Sequence, residues 1–487
     1  MSESASKPLR VAVIGAGMSG ILSAIKLRER GIDFELFEKA DRIGGTWREN
    51  TYPGLSCDVP SHAYTYSFAR NPGWSSWYAP GPEIQDYFQR VADEHGVTPL
   101  VRFGDEVTSL VFDDDAGAWE LGTAGGYHGR FEAVIAATGV LHHPNVPDIE
   151  GLDRFAGACF HSARWDHSVP LDGRRVGVIG TGSTAVQITS ALVGRVEQFT
   201  LFQRTAQWVM PGDAKVFTEE EKAAYREDPA KLEHFVAQVK DSMRVGISQA
   251  VIDADSVQLR KIEHLCEKNL NTVRDPELRE KLRPTYRAAC KRLIFSPDFY
   301  DAIQQPNAAL VTEPIERIEP DGVRTRDGVL HRLDVLVLAT GFQVDRFVRP
   351  MRVLGRGGVD LNDVWAAGPL AYVSVTVPGF PNFFMLNGPN GPVGNFSLID
   401  VAELQLDYSL QLIDALRDGR CRAVSPSPAA TEAFEDERRA AASHTVWSTG
   451  CNSWYLDANG VPATWTFSWD RFCQEMAGPK WEAFELV

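Results

Sequence analysis

LRVAVIGAGMSG, Leu9 to Gly20, and RRVGVIGTGSTA, Arg174 to Ala185, are the two stretches from which the rest of the chain can be read. Each is a short apolar run that ends in clustered glycines and passes directly into a segment of helical periodicity, ILSAIKLRER in the first case and VQITSALVG in the second. Glycines at such a junction permit a tight turn and let phosphates approach the backbone at the positive end of the helix. A second apolar strand follows each time, DFELFEKA reaching Glu38 and QFTLFQRT reaching Gln203 and Arg204. The halves also close alike, with FEAVIAATG ending at Gly139 and LDVLVLATG at Gly341. One architecture is used twice, so the expected fold is α/β with two Rossmann-like dinucleotide-binding domains.

The two loops differ in what they are built to hold. In the first, Gly15, Gly17, Ser19 and Gly20 form the fingerprint. Glu38 follows at about the 20-residue spacing that places an acid on ribose hydroxyls. In the second, Gly180, Thr181, Gly182, Ser183, Thr184 and Ala185 carry alanine at the third position, which the fingerprint allows. Its second strand ends in Arg204 where the first ended in Glu38. An arginine there suits a ribose phosphate, with Thr205 able to share it; the alternative is a solvated surface arginine. An acidic and a basic version of one site argue for two different nucleotides, FAD in the first domain and NADPH in the second.

Bulk properties narrow the class. A chain of 487 residues is long enough for two or three cores, and 44% hydrophobic with 23% charged residues is ordinary globular composition. A net charge of -16 repels phosphate backbones and anionic lipid, so neither nucleic acid nor a membrane is expected as partner. No obligate protein partner is evident. The seven cysteines are scattered and never form a C-x-x-C pair, which suggests neither a disulfide framework nor a metal site and fits a reducing compartment. The short, polar MSESASKPLR leads straight into the first strand, leaving no room for a secretory signal, and no apolar run reaches membrane-spanning length. A cytoplasmic location is expected.

The interval from Gly180 to Gly341 is longer than that from Gly15 to Gly139, and the surplus is readable. Residues 213–289 are rich in charge and helix formers. Thr218 with Glu221 fits a capping box, and Asp228-Pro229 and Asp275-Pro276 each place a cap before a first-turn proline. The expected organisation is a first FAD-binding part over 1–145, an NADPH-binding domain over 146–342 with a helical insertion at about 213–289, and a second FAD-binding part over 343–487 that includes a helix from about Leu398 to Arg417.

Between the loops lies FAGACFHSARWD, in which Phe155, Gly157, His161, Trp165 and Asp166 match F-x-G-x-x-x-H-x-x-x-W followed by Pro or Asp. With this fingerprint the chain resembles the FAD- and NADPH-dependent Baeyer-Villiger monooxygenases of the flavin-containing monooxygenase superfamily. GGTWRENTYPGLSCDVPSHAYTYSF resembles the family's segment along the flavin, with Thr46, Trp47, Asp58 and Tyr64 in matching positions. CKRLIFSPDFY resembles the segment carrying the family's active-site arginine, which is Arg292 here, beside Lys291; GFPNFFMLNGPNGP resembles the loop returning to the flavin domain and TVWSTGCNSWY the C-terminal aromatic segment. Asn387, Asn390, Asn395 and Phe396 do not map onto a substrate pocket.

The resemblance implies insertion of one oxygen atom beside the carbonyl of a small hydrophobic ketone, through a flavin peroxide, to give an ester or lactone from molecular oxygen. Arg292 would stabilise the anionic oxygen species with Asp58 as its partner, Lys291 would touch the NADPH phosphate, and His161 would position the interdomain connection. Two other readings remain: oxygenation of sulfur or nitrogen in soft nucleophiles, and a non-oxygenating flavoprotein reductase, which would usually show a redox cysteine pair.

Overall fold

In a computed structural model the described residues are 9–394 and 396–487; Asn395 and most of the polar N-terminal stretch lie outside them. Strand β1 (Arg10–Ile14) leads through the first glycine loop into helix α1 (Met18–Glu29) and strand β2 (Asp33–Glu38). Strands β3 (Val101–Phe103) and β4 (Ala133–Ala136) follow. The second unit opens with β5 (Ala158–His161) and repeats the pattern as β6 (Arg175–Ile179), helix α2 (Ser183–Leu192), β7 (Gln198–Phe202), β8 (Ala308–Val311) and β9 (Val335–Leu338). The chain then returns through β10 (Phe383–Met385) to helix α3 (Leu398–Arg417).

These strands form two five-stranded, wholly parallel sheets with matching order, β10-β4-β1-β2-β3 and β5-β9-β6-β7-β8. Central strands buried on both faces explain the unbroken apolar runs: Val11, Ala12 and Val13 in one sheet and Val176 and Val178 in the other are fully buried. The sheets are equivalent position by position. The outer slot that β10 fills in the first is filled in the second by β5, the strand inside the F-x-G-x-x-x-H-x-x-x-W stretch.

The duplicated glycines have a duplicated cause. Gly15 and Gly180 both take positive φ, +101° and +125°. A Cβ on Gly15 would lie 2.6 Å from the Ala137 carbonyl oxygen, and one on Gly180 would lie 2.2 Å from that of Ala339. Those carbonyls belong to the two Ala-Thr-Gly strand exits, so each exit seats its own loop. At the third fingerprint position a Cβ on Gly20 would meet the Gly15 carbonyl oxygen at 1.7 Å, whereas Ala185 is accommodated and buried.

Residues 213–289 are mainly helical. The Thr218 capping box is formed, and Asp228 and Asp275 cap the helices that begin at Pro229 and Pro276. The insertion reaches across to the first unit, where His62 is enclosed by Phe217, Tyr225 and Phe235 at ring distances of 4.6, 5.4 and 5.3 Å. Its Nε2 is buried without a partner.

One expectation is corrected. Cys290 and Cys451 form a disulfide across a sequence separation of 161 residues, with Cα atoms 6.2 Å apart. Spacing rules detect clustered cysteines, and a pair brought together only by the tertiary fold leaves no local pattern.

Burial of His62 pushes its pKa down from 6.5 to about 4. The neutral ring is favoured in the folded state, so the unfolded chain binds the proton more readily, and stability falls as the pH drops from about 6.5 toward 4. Over that window His62 is expected to remove about 3 kcal/mol. Thermal denaturation of wild type and His62→Phe measured between pH 7 and 4 should show the steeper loss in wild type; parallel curves would refute the assignment.

Candidate active site

The first loop presents an uncapped helix end. Helix α1 has Gly17 at its N-cap, with no side-chain cap and no acidic residue in its first turn, leaving its N–H groups and its dipole for an anion. Gly45 packs on this loop, since its Cβ would come within 3.0 Å of the Gly17 Cα. Behind it starts the short helix Thr46–Glu49. The Trp47 indole donates to the Tyr64 hydroxyl at 3.2 Å, which places the two matched aromatic residues edge to face.

Glu38 is buried, and protein donors already occupy most of its carboxylate. Oε2 accepts from the Ala16 N–H at 2.8 Å, and Oε1 accepts from the Ala40 N–H at 3.0 Å and from Arg48 at 3.1 Å. A carboxylate offers about four acceptor positions, so one remains on Oε2 for a ribose hydroxyl. Arg48, which the sequence reading passed over, also pairs with Glu49 at 2.5 Å, and Glu49 accepts from Arg164 at 2.8 Å. Glu38, Arg48, Glu49 and Arg164 thus form a chain of ion pairs from the first loop to the segment before Trp165.

The second loop is equally open. Helix α2 has Gly182 at its N-cap without a side-chain cap, and a Cβ there would meet nothing within 4 Å. Thr181 donates its hydroxyl to the Thr205 carbonyl at 2.8 Å, tying the loop to the end of β7, and Thr184 donates to the Tyr52 hydroxyl at 3.4 Å. Ser183 follows Gly182 in the first turn of α2. Arg204 is exposed at the end of β7. Burial lowers the Lys291 pKa, and the nearby positive charge of Arg204 lowers it further. Among the described residues neither cation forms an ion pair. Two neighbouring cations without a carboxylate suit a phosphate dianion.

Arg292 lies beyond this pair. Its Nε donates to Asp58 Oδ2 at 3.0 Å and its Nη2 to Asp58 Oδ1 at 2.5 Å, a bidentate clamp between residues 234 apart in sequence. Burial opposes the charge, but Asp58, helped by Tyr455, outweighs it and holds the pKa above its ordinary value. Tyr455 was not singled out from the sequence. Its hydroxyl faces the guanidinium, and the two converge on Gly394, whose Cβ would lie 2.0 Å from Tyr455 Oη and 3.0 Å from Arg292 Nη1. Any side chain at position 394 would separate them.

The residues between the loops act on the backbone. Gly157 lets β5 begin against the Asp334 carbonyl and the Phe155 ring, since a Cβ would meet them at 2.3 and 2.8 Å. His161 Nδ1 accepts from the Ala163 N–H at 3.1 Å, so Nε2 carries the proton and donates to the Gly341 carbonyl, also at 3.1 Å. Burial lowers its pKa, which keeps the ring neutral. Trp165 packs edge to face on Phe160, and Asp166 accepts from the Ser168 N–H and hydroxyl.

Over residues 8–348 the chain matches the family described as flavin-binding monooxygenase-like. The chain belongs to that family. An uncharacterized monooxygenase of Mycobacterium tuberculosis is 48% identical over 459 residues, covering 94% of this chain and 92% of the relative. A Baeyer-Villiger monooxygenase of Streptomyces coelicolor is 40% identical over 466 residues, covering 94% and 88%. The crystal structure of cyclohexanone monooxygenase from Rhodococcus sp. Phi1 bound to NADP+ superposes with a TM-score of 0.88 over 99% of both chains, at 32% identity.

As a flavin-binding monooxygenase the protein needs a flavin site, and the donor set fits one. Asn387 and Asn390, both at positive φ in the return loop, carry buried carbonyl oxygens with no partner. Asn387 donates to Ser19 at 3.2 Å, which puts it against the first loop. These orphaned acceptors match the N–H and hydroxyl donors of a flavin. That placement also explains why this asparagine set maps poorly onto a substrate pocket, although Asn395 itself lies outside the described residues. Helix N-termini in both loops fit pyrophosphates, and Arg204 with Lys291 fits the extra phosphate of NADPH.

Removing either cation from the second site, as in Arg204→Ala or Lys291→Ala, should raise the KM for NADPH about tenfold, the scale of one charge-assisted hydrogen bond, and leave that for NADH nearly unchanged. Steady-state kinetics with both nucleotides decides; equal changes would contradict phosphate recognition.

Proposed function

We propose that this chain is a Baeyer-Villiger monooxygenase. It consumes NADPH, a proton and molecular oxygen, inserts one oxygen atom beside a ketone carbonyl to give an ester or lactone, and releases the other as water. Bound FAD supplies the redox chemistry that links NADPH to oxygen. The observation carrying the reading is the Arg292–Asp58 clamp, an arginine held charged where the family requires one.

Arg292 places permanent positive charge where negative charge develops, first on the attacking oxygen and then on the former carbonyl oxygen. A guanidinium suits this because it does not titrate and its donors are fixed in one plane. Asp58 engages Nε and Nη2 and so fixes that plane, leaving Nη1 directed toward Gly394 and Tyr455 for the reacting oxygens. Lys291 and Arg204 hold the NADPH phosphate, and His161, locked between Ala163 and Gly341, positions the connection between the two units without exchanging a proton.

The surroundings of Arg292 favour a hydrophobic ketone. The cluster containing Cys290, Leu293, Trp447 and Tyr455 has Phe295 and Val393 packed on it, so the neighbourhood is largely apolar. Oxygenation of sulfur or nitrogen would need no fixed cation to polarise a carbonyl, and the clamp therefore favours ketones. A cytoplasmic location belongs to the same proposal; no helix among the described residues is long and apolar enough to cross a membrane.

Purified protein with FAD, NADPH, oxygen and a panel of cyclic, aryl and linear ketones plus a thioether should yield an ester or lactone by gas chromatography. Sulfoxide alone would favour the soft-nucleophile reading. Arg292→Ala should retain FAD and its reduction by NADPH while losing at least about 100-fold in ester formation, the scale of a removed oxyanion donor. Undiminished ester production would overturn the role of Arg292.

A further inference from the structure

We propose that the Cys290–Cys451 disulfide is a reversible redox site that holds the oxygenation pocket in its working shape. The inference rests on the role given above to Arg292. Cys290 precedes Arg292 by two residues, and Cys451 precedes Tyr455 by four. The bond therefore fastens the segment bearing the guanidinium to the loop bearing the hydroxyl that faces it. Both cysteines are buried in one cluster with Trp447 and Tyr455.

The loop needs such a fastening. Between the turn Val446–Thr449 and Tyr455 it has no regular secondary structure. Between Cys451 and Tyr455 no backbone–backbone bond among the described residues ties the loop to another element: Leu456 donates to Ser453 and Ala463 to Tyr455 at 2.7 Å, and the next link outward is Trp465, which donates to Gly391 at 3.1 Å. On the other side of the bond, Ala289 has positive φ, +63°, a conformation a non-glycine residue keeps only where its surroundings impose it. With the bond open, the loop bearing Tyr455 loses its covalent tie to the Arg292 segment and keeps only hydrogen bonds and packing to hold it there. Asp58, on a different segment, still clamps the guanidinium and fixes its plane. Opening is thus expected to impair oxygen insertion while sparing the earlier transfer of electrons from NADPH.

Both directions balance with simple partners. A dithiol opens the bond by two-electron exchange: the Cys290–Cys451 S–S bond breaks, a new S–S bond forms within the reductant, and its two protons pass to the cysteine sulfurs. Hydrogen peroxide closes it: the O–O bond breaks, the S–S bond forms, and the two thiol protons leave in two molecules of water. The second partner is what two-electron reduction of oxygen yields when no ketone takes up an oxygen atom. A loosened pocket that wastes NADPH as peroxide would generate the oxidant that closes it again.

The test uses the FAD-loaded, full-length protein. After peroxide treatment, denaturation and alkylation, mass spectrometry should find label on the five free cysteines, Cys57, Cys159, Cys266, Cys421 and Cys473, and on Cys290 and Cys451 only after dithiothreitol. At saturating NADPH, dithiothreitol-reduced wild type should bleach its flavin within twofold of the oxidised rate under anaerobic conditions, yet form about tenfold less ester per NADPH, with hydrogen peroxide making up the difference. Reoxidation should restore coupling. Cys451→Ser should match reduced wild type and ignore dithiothreitol; if that variant fails to fold, the titration of wild type still decides. Label on Cys290 and Cys451 in peroxide-treated protein, unchanged coupling after reduction, or a Cys451→Ser protein that still responds to dithiothreitol would each overturn the proposal. The labelling does not depend on catalysis, so ester formation by Arg292→Ala would refute the function assigned to Arg292 while leaving the bond itself established.

Discussion

A guanidinium can serve a reacting oxygen only if something fixes the plane in which its donors lie. The Asp58–Arg292 clamp supplies that condition, and much of the fold serves to bring its two halves together. Asp58 belongs to the stretch that follows β2 and whose Gly45 packs on the first glycine loop. Arg292 follows a helical insertion within the second unit, and Tyr455 and Gly394 arrive from the returning chain. All three parts of the chain must be in place before the site exists, which is why no short stretch of the protein carries it.

The two units are joined by polar contacts as well as by the chain. Glu38, beside the first loop, reaches Arg164 through Arg48 and Glu49, while Tyr52 donates to Gln187 on helix α2 and Gln187 donates to Ser56. The first chain of contacts begins at the Ala16 N–H of the first loop, and the second reaches the helix that follows the second loop. A buried pair such as Glu38–Arg48 is held in one orientation, which suits a task in which two cofactors must be held in register.

The parts legible in the sequence are those whose physical cause is local. Gly15, Gly20 and Gly180 are demanded by carbonyls a few ångströms away, Pro229 and Pro276 by a helix start, and the alternation of apolar strands with helices by burial on both sheet faces. The cations Arg204 and Lys291, unpaired among the described residues, could be suspected from residue type at a strand end and from the family match. What escaped the reading depends on distant segments. Tyr455 is one of several aromatic residues until Gly394 is set beside it. Arg48 looks like a surface charge until Glu38 buries it. Cys290 and Cys451 share no pattern, and His62 acquires its aromatic enclosure only because an insertion in the second unit folds back onto the first.

The slot shared by β5 and β10 bears on how the molecule is made. All five strands of the second sheet lie between residues 158 and 338, so it is complete as soon as β9 has left the ribosome. The first sheet begins earlier yet waits for Phe383–Met385 to cover β4. During synthesis the unit started first is therefore finished last, and the exposed edge of β4 is the place where a nascent chain would need protection from pairing with a stranger.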